Sequence, residues 1–281
     1  MRLHQLADGL LHVSGFLTAS EHTLVFEQAR RLSDAVSVAS RDLPRNVSPL
    51  HNIQTREEYA SVQLSSGASC DHFERYADGH RLTYFRQCKP FPDLGLPDIQ
   101  LRVASLPGID AALRHDRERA GKAQQSLVSW RLTLNRYPPA RTSTLPESPR
   151  SGTFSSGNAG SLDATRPGFP WHRDLRANGA VSVIVGLGSP TSLEFGDEVP
   201  SDGHACCNRR DVSSLGKCLR NGEPRQLEHV SPGCEVLVRE EVRLAPGDAV
   251  ALTGRARWEM LHRVVPELHG RLRLSLVFGL W

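Results

Sequence analysis

The sequence VSVIVGL, residues 181–187, is the strongest strand signal in this 281-residue chain, because it combines three valines with an isoleucine and a leucine. Shorter strand-like segments lie on both sides of it, at residues 128–137, 193–195, 235–238, 248–252 and 271–278. Many short strands separated by turns are typical of a β-sandwich or a jelly roll. The second half of the chain therefore predicts a mainly β fold.

The beginning of the chain has a different pattern. Residues 9–17 predict a short strand and a turn, and residues 18–21 predict the N-terminal cap of a helix that continues to about residue 32. A second, charged helix is predicted over residues 109–122. We therefore expect an α+β protein in two parts, with an N-terminal α/β extension over residues 1–125 that packs on a β core over residues 126–281.

Two polar segments interrupt the predicted core strands. Residues 138–170 are rich in Ser, Thr, Gly and Pro, and residues 196–233 are rich in Ser, Arg, Asn and Cys, so both predict long surface insertions. Four cysteines lie in or next to the second segment, namely Cys206, Cys207, Cys218 and Cys234. Their spacing does not match the paired Cys-x-x-Cys motif of structural zinc sites. We interpret them as free thiols, with a small zinc site as the alternative.

The composition excludes several classes of protein. Lys and Arg total 34 against 31 Asp and Glu, so the formal net charge of +3 gives no sign of a strongly basic nucleic-acid binder. The hydrophobic content of 39% is enough for a substantial core. No apolar segment has the length of a membrane span or a secretory signal. We expect a soluble intracellular protein, cytoplasmic or nuclear, with no membrane partner and with a monomeric state favoured.

Three separated residues form a candidate metal site. His172 and Asp174 are two positions apart, so their side chains share a face if the segment is extended. His262 lies far downstream, where a neighbouring strand of a β-roll would bring it alongside. Two histidines and a carboxylate are the ligands with which a non-haem Fe(II) oxygenase holds its metal and leaves open positions. The alternative is that His172 is a loop histidine and His262 an unrelated core histidine, so that the three residues bind no metal.

Other segments occur in a fixed order around these residues. LTLNRYPP at residues 132–139 precedes the His-x-Asp motif, LAPGD at residues 244–248 precedes His262, and RLSLVF at residues 273–278 closes the chain. This ordered set resembles the AlkB family of Fe(II)- and 2-oxoglutarate-dependent dioxygenases. The resemblance covers about residues 127–278, and more loosely the first 125 residues. It implies a core with the fold of a double-stranded β-helix, or jelly roll.

The resemblance also implies a role for each matching residue. The catalytic residues and iron ligands would be His172, Asp174 and His262. The cosubstrate 2-oxoglutarate would be bound at its distal carboxylate by Arg273 and hydrogen-bonded by Asn135, Tyr137 and Ser275. With O₂, the enzyme would hydroxylate a C–H bond of its substrate and form succinate. Hydroxylation of an N-methyl group would release formaldehyde.

The chain departs from the family pattern at two positions. The family's last arginine falls six residues after Arg273, where this chain has Gly279. Several nucleic-acid repair members have an acidic residue two positions after the metal-binding aspartate, where this chain has Arg176. Either Arg176 supplies the missing guanidinium to the cosubstrate, or the site is weakened.

The resemblance implies a nucleic-acid substrate, DNA or RNA, from which an N-alkyl group is removed. In that case aromatic side chains would line a base pocket and basic side chains would contact phosphates. The candidates are Tyr76, Tyr84, Phe85 and Trp130 for the pocket and Arg81, Arg86 and Lys89 for the phosphates. The alternatives are a dioxygenase that acts on a protein or another substrate, and an AlkB-like binding module with weak catalysis.

Overall fold

The computed structural model describes residues 1–47, 58–76, 80–85, 91–119, 129–137, 168–174, 179–200, 230, 234–265 and 271–280. The helices within these ranges are α1 Ala19–Ala39, α2 Ile99–Ala104, α3 Ile109–Arg119 and α4 Gly254–Trp258. The strands before the core are β1 Arg2–Ala7, β2 Leu10–Ser14, β3 Asn46–Val47, β4 Glu58–Gln63, β5 Ser69–Tyr76 and β6 His80–Phe85. The core strands are β7 Trp130–Tyr137, β8 Phe169–His172, β9 Val181–Gly188, β10 Thr191–Pro200, β11 Cys234–Leu244, β12 Ala249–Leu252, β13 Leu261–Val265 and β14 Arg273–Leu280.

The core strands form two antiparallel sheets. The large sheet has the order β1-β2-β12-β9-β14-β7-β6-β5-β4-β3, and the small sheet has the order β11-β10-β13-β8. From β7 to β14 the chain passes repeatedly between the two sheets, with only β10 and β11 consecutive in the same one. This winding is that of a double-stranded β-helix, or jelly roll. The predicted fold class, mainly β with flanking helices around a jelly-roll core, is confirmed.

The N-terminal strands extend the large sheet at both edges. β2 pairs with β12 at one side, and β6 pairs with β7 at the other. The predicted boundary at residue 125 would therefore separate strands that belong to one continuous sheet. The division of the chain into two parts stays a prediction. Most of both predicted insertions lies outside the described residues. β10 nevertheless continues to Pro200, past a register shift after Phe195, so the second insertion begins later than predicted.

Helix α1 covers the outer face of the large sheet. Its start at Thr18 has the predicted capping box, in which the Thr18 hydroxyl accepts from the Glu21 backbone and the Glu21 carboxylate accepts from the Thr18 backbone. The helix continues to Ala39, beyond the predicted end near residue 32. Its buried face includes Ser33 and Ser37, small polar residues that the apolar pattern does not count. No described helix has the length and hydropathy needed to cross a membrane.

The cap of α1 gives a prediction about acid stability. Arg102 donates to both carboxylate oxygens of Glu21 at 3.0 and 2.8 Å, and these bonds, with the Thr18 backbone, lower the pKa of Glu21 to about 2. A carboxylate with a lowered pKa stabilises the fold fully above its unfolded pKa, about 4.5, and loses that contribution as the pH falls towards 2.

We therefore expect Glu21→Gln to lower the free energy of unfolding by about 1 kcal/mol at neutral pH, as for the loss of a cap. The difference from the wild type should shrink between pH 4.5 and 2. Urea unfolding at a series of pH values measures this, with Glu27→Gln on the same helix as the control. A difference in unfolding free energy between wild type and Glu21→Gln that stays constant down to pH 2 would contradict the lowered pKa of Glu21.

Strand alternation separates two apolar clusters. Leu274, Leu276 and Phe278 of β14 point to the outer face and pack in the cluster beneath α1. Between the two sheets lies a second cluster that contains Ile184 and Phe195. The residues of β14 between the outward-facing ones therefore point into the space between the sheets, where the candidate site lies.

One cysteine prediction is wrong. Cys234, the first residue of β11, is disulfide-bonded rather than a free thiol. The error has a simple cause, because a disulfide depends on a partner brought close by the fold and the spacing in sequence does not reveal it. Cys206, Cys207 and Cys218 lie outside the described residues.

Candidate active site

The three predicted metal ligands come together at one end of the small sheet. His172 in β8 lies directly opposite His262 in β13, and Asp174 follows β8 by two residues. Asp174 Oδ1 is 3.6 Å from His172 Nε2 and 3.7 Å from His262 Nε2. One ligand atom from each residue lies within 4.8 Å of the others. Ligand atoms that share one ion at about 2.1 Å have separations close to these.

Neighbouring groups orient the ligands. His172 Nδ1 donates to the Pro170 carbonyl oxygen at 2.8 Å, so the proton is on Nδ1 and the Nε2 lone pair faces the site. Ser182 Oγ donates to Asp174 Oδ2 at 2.9 Å, which leaves Oδ1 directed at the histidines. Arg257 donates to the Asp174 carbonyl oxygen at 3.2 Å. The donor set and its supporting hydrogen bonds fit a divalent metal ion.

The protonation states also fit a metal site. Burial and the nearby His172 together lower the pKa of His262 to about 3, so His262 is a neutral imidazole. Burial alone raises the pKa of Asp174, but the adjacent imidazoles of His172 and His262 and the charge of Arg257 outweigh it and hold that pKa well below its usual range. A neutral imidazole and an ionised carboxylate are the forms that bind metals.

The Ser182 hydroxyl gives a prediction about metal affinity. Without it, Asp174 Oδ2 loses its hydrogen bond and the carboxylate loses its fixed orientation. Changes to such supporting residues lower metal affinity by about 10- to 100-fold, and we expect this of Ser182→Ala. Mn(II) titration calorimetry measures the effect. Ser189→Ala is the control, because that hydroxyl bonds to the Arg271 carbonyl away from the metal ligands; equal affinities in the two variants would contradict the prediction.

The four predicted cosubstrate residues lie in two facing pairs on β7 and β14. Arg273 is opposite Tyr137, and Ser275 is opposite Asn135. The Arg273 guanidinium carbon lies 4.4 Å from the Tyr137 ring centre, and Asn135 Nδ2 donates to Ser275 Oγ at 3.3 Å. All four side chains are buried. Their roles as cosubstrate ligands stay a prediction.

This pocket contains a buried acceptor atom and a buried cation. Asn135 Oδ1 has no hydrogen-bond partner among the described residues. A buried acceptor in this state costs about 1–3 kcal/mol, which an ordered water molecule that donates to it recovers. Arg273 adds a buried cation in contact with Tyr137. These residues fit an organic acid.

His80 is a site residue that the sequence analysis missed. The ring is fully buried and stacks on Tyr137 with 4.9 Å between the ring centres. Burial, with the charges of Arg273 and His172, lowers the pKa of His80 to about 3. The side chain of Asn135 and the backbone of Gly168 both approach the ring, but neither ring nitrogen completes a hydrogen bond within the described part of the chain. Its position next to Tyr137 depends on the pairing of β6 with β7, which the sequence pattern did not indicate.

Gly279 lies in the middle of the large sheet, between Arg131 of β7 and Ser182 of β9. Arg131, also missed in the sequence, donates to the Tyr84 hydroxyl at 2.7 Å. Strand alternation places Arg131 on the same face of the sheet as Asn135, and Tyr84 packs against the cluster between the sheets. Arg176 lies outside the described residues, so its predicted contact with the cosubstrate stays a prediction.

The substrate candidates divide between the two faces of the large sheet. Tyr76 is buried between the sheets, where its ring contacts Phe73 and Phe169 with ring centres 5.2 and 5.7 Å apart. Tyr84 is partly exposed on the same face. Phe85 and Trp130 pack in the outer cluster, so they cannot line a pocket between the sheets.

The basic residues predicted to contact phosphates have a different environment from these aromatic residues. Arg81 forms an ion pair with Glu74, whose carboxylate also accepts from Ser37 of α1 at 3.0 Å. Arg81 therefore lies on the helix side of the sheet, away from the metal ligands. Arg86 and Lys89 lie outside the described residues.

Comparisons with known proteins give matches among solved structures only. No protein-family profile and no curated protein matches the chain. One similar structure is that of OsALKBH1, with 12% identity, a TM-score of 0.43 and 99% coverage of both chains. A prolyl hydroxylase from Trichoplax adhaerens, in complex with a peptide fragment of the hypoxia inducible factor oxygen degradation domain, has 13% identity and a TM-score of 0.43 over 98% of this chain and 84% of its own.

A third similar structure is SnoN, a non-heme alpha ketoglutarate dependent epimerase from nogalamycin biosynthesis. It has 17% identity and a TM-score of 0.37, over 96% of this chain and 78% of its own. Membership of the AlkB family stays a prediction for this chain.

Proposed function

We propose that the protein is an Fe(II)- and 2-oxoglutarate-dependent dioxygenase of the AlkB type that removes N-alkyl groups from DNA or RNA. The observation that carries the proposal is the convergence of His172, Asp174 and His262 on one point. Two neutral imidazoles and one carboxylate bind Fe(II) on one face and leave the other positions open for cosubstrate and O₂.

The chain's own residues bind and orient the reactants. His172, Asp174 and His262 hold the metal, and Arg273 binds a carboxylate of 2-oxoglutarate with Asn135, Tyr137 and Ser275 around it. When bound, Fe(II) couples the oxidative decarboxylation of 2-oxoglutarate by O₂, which gives succinate and CO₂, to hydroxylation of a substrate C–H bond. The hydroxylated N-methyl group then breaks its C–N bond to release formaldehyde, and the hydroxyl proton moves to the nitrogen.

A cation on the inner face of the large sheet favours an anionic substrate such as a nucleic acid. Arg131 is half-buried, and the Tyr84 hydroxyl accepts one of its hydrogen bonds. A guanidinium presents several donors in a plane, so it binds a phosphate while still bonded to a phenol. The tyrosine ring offers a surface on which a base stacks.

The first experiment tests the enzyme class. The full chain, purified without oxygen and loaded with Fe(II), should produce succinate from 2-oxoglutarate and O₂ even without substrate, whereas His172→Ala should give only background. His115→Ala, on the exposed surface of α3, is the control and should match the wild type. Equal background production in the wild type and His172→Ala would contradict the proposal.

The second experiment tests the substrate class. Formaldehyde release is measured from N-methylated single-stranded oligonucleotides and from N-methylated peptides of similar length. We expect release from the oligonucleotides, and a lower rate in Arg131→Gln with uncoupled succinate production unchanged. Release from peptides alone would contradict the nucleic-acid assignment and leave the dioxygenase assignment intact.

A further inference from the structure

His80 is a buried polar residue in the candidate site. It is neither one of the three candidate metal ligands nor one of the four candidate cosubstrate residues. Its side chain is fully buried, and within the described ranges neither of its ring nitrogens has a hydrogen-bond partner. A buried polar atom without a partner is unfavourable, because it has lost its bonds to water and gained none. An imidazole kept in this state next to the metal ligands calls for a ligand that completes its hydrogen bonds.

The position of His80 indicates which ligand this is. His80 stacks on the Tyr137 ring, over which the Arg273 guanidinium carbon lies at 4.4 Å. Its ring also contacts Phe169, whose ring centre is 4.0 Å from that of His172, so His80 lies near both the cosubstrate arginine and the candidate metal ligands. A bound 2-oxoglutarate would reach from Arg273 to the metal and would therefore pass His80. We propose that His80 donates a hydrogen bond from its ring to a carboxylate oxygen of 2-oxoglutarate. This inference rests on the proposed dioxygenase function.

The chemistry of a buried neutral imidazole suits this role. A neutral ring has one N–H donor and one acceptor nitrogen, so it binds a carboxylate oxygen without adding a second charge. Asn135, which donates to Ser275 at 3.3 Å, approaches the same ring, so the three side chains form one polar wall of the pocket. The Tyr137 ring packs against both His80 and Arg273.

The alternative role for His80 is packing alone. Its ring contacts Tyr76, Tyr137 and Phe169, with ring centres 5.5, 4.9 and 5.1 Å away. A phenylalanine at this position would keep an aromatic ring among these neighbours and would remove both nitrogens. The His80→Phe variant therefore separates packing from hydrogen bonding.

The test measures 2-oxoglutarate binding by thermal unfolding of the full-length protein loaded with Mn(II), without oxygen. The gain in Tm with increasing 2-oxoglutarate gives the affinity. We expect His80→Phe to bind 2-oxoglutarate roughly tenfold more weakly, as for the loss of one hydrogen bond to a charged group. Without 2-oxoglutarate its Tm should equal or exceed that of the wild type, because two unsatisfied nitrogens are gone. His80→Asn keeps an N–H donor and should bind with intermediate affinity.

The possible outcomes separate the two proposals. His115→Phe on the surface of α3 is the control and should bind 2-oxoglutarate like the wild type. If the wild type gains Tm from 2-oxoglutarate and His80→Phe gains as much, this inference alone is overturned. If Mn(II) stabilises the wild type but 2-oxoglutarate does not, the proposed function is overturned, and this inference with it. If His80→Phe does not fold, an affinity of His80→Asn below that of the wild type supports the hydrogen-bonding role, and an affinity equal to that of the wild type contradicts it.

Discussion

Replacing Asp174 with alanine is expected to abolish specific metal binding. Asp174 is the one carboxylate among the three convergent ligands, and its Oδ1 lies between the two histidine Nε2 atoms at 3.6 and 3.7 Å. Its removal leaves two neutral imidazoles and takes away the negative charge that favours a divalent cation. Loss of a supporting residue alone lowers metal affinity about 10- to 100-fold, so loss of the ligand itself should exceed about 100-fold.

Titration calorimetry with Mn(II) on the metal-free protein measures this loss. Asp110→Ala is the matched control, because Asp110 lies on the exposed surface of α3 and pairs only with Arg114 in a surface ion pair. The control should bind Mn(II) like the wild type. Metal binding in Asp174→Ala within about tenfold of the wild type, with the protein folded, would exclude this residue as a metal ligand.

The convergence of the three candidate metal ligands could be predicted from local sequence only in part. His172 and Asp174 are two residues apart, and the alternation of an extended chain is enough to put both on one face. His262 has no such local signal, since its position opposite His172 depends on the pairing of β8 with β13. The resemblance to a family supplied that pairing in advance, through the order of motifs.

The same information could not predict which side chains of the other strands point into the space between the sheets. Phe85 and Trp130 are aromatic residues close to the candidate pocket in sequence, yet both pack under the helices on the outer face. A shift of one residue reverses the face of every side chain in a strand, so a boundary error in a weakly patterned segment changes the assignment completely. Arg131 and His80 were missed for the same reason, because they reach the inner face only through the register of β6, β7 and β14.

Gly279 illustrates how the register changes the interpretation of a motif. In the sequence it is only the position where a family arginine is missing. In the sheet it has Ser182, the residue that orients Asp174, on one side and Arg131 on the other. Because this residue is glycine, no side chain stands on the inner face between the Ser182 hydroxyl and Arg131. From the sequence, Arg176 is the one candidate to replace the guanidinium of the family arginine that Gly279 lacks.

The second large effect is expected at Arg273. The residue is only 6% exposed, and its guanidinium carbon lies 4.4 Å from the Tyr137 ring centre, so its charge and its planar group both lie in the pocket. A hydrogen bond to a charged group contributes about 1.5–3 kcal/mol, and we therefore expect Arg273→Met to lower 2-oxoglutarate affinity at least 10-fold and up to about 150-fold. Arg273→Lys keeps the charge but loses the planar pair of donors and the stacking, so its affinity should fall between those of the wild type and Arg273→Met.

The gain in Tm with 2-oxoglutarate in the Mn(II)-loaded protein measures this effect, and Mn(II) titration checks that the metal site is intact. Arg263→Lys is the matched control, since Arg263 also stacks on an aromatic ring, Trp171 at 4.8 Å, but pairs with Glu194 instead of facing the pocket. Metal affinity should be unchanged in all three variants, which separates this result from that of Asp174→Ala. Because the two changes act on different ligands, unchanged 2-oxoglutarate affinity in Arg273→Met would remove this arginine from the cosubstrate site and leave the metal assignment standing.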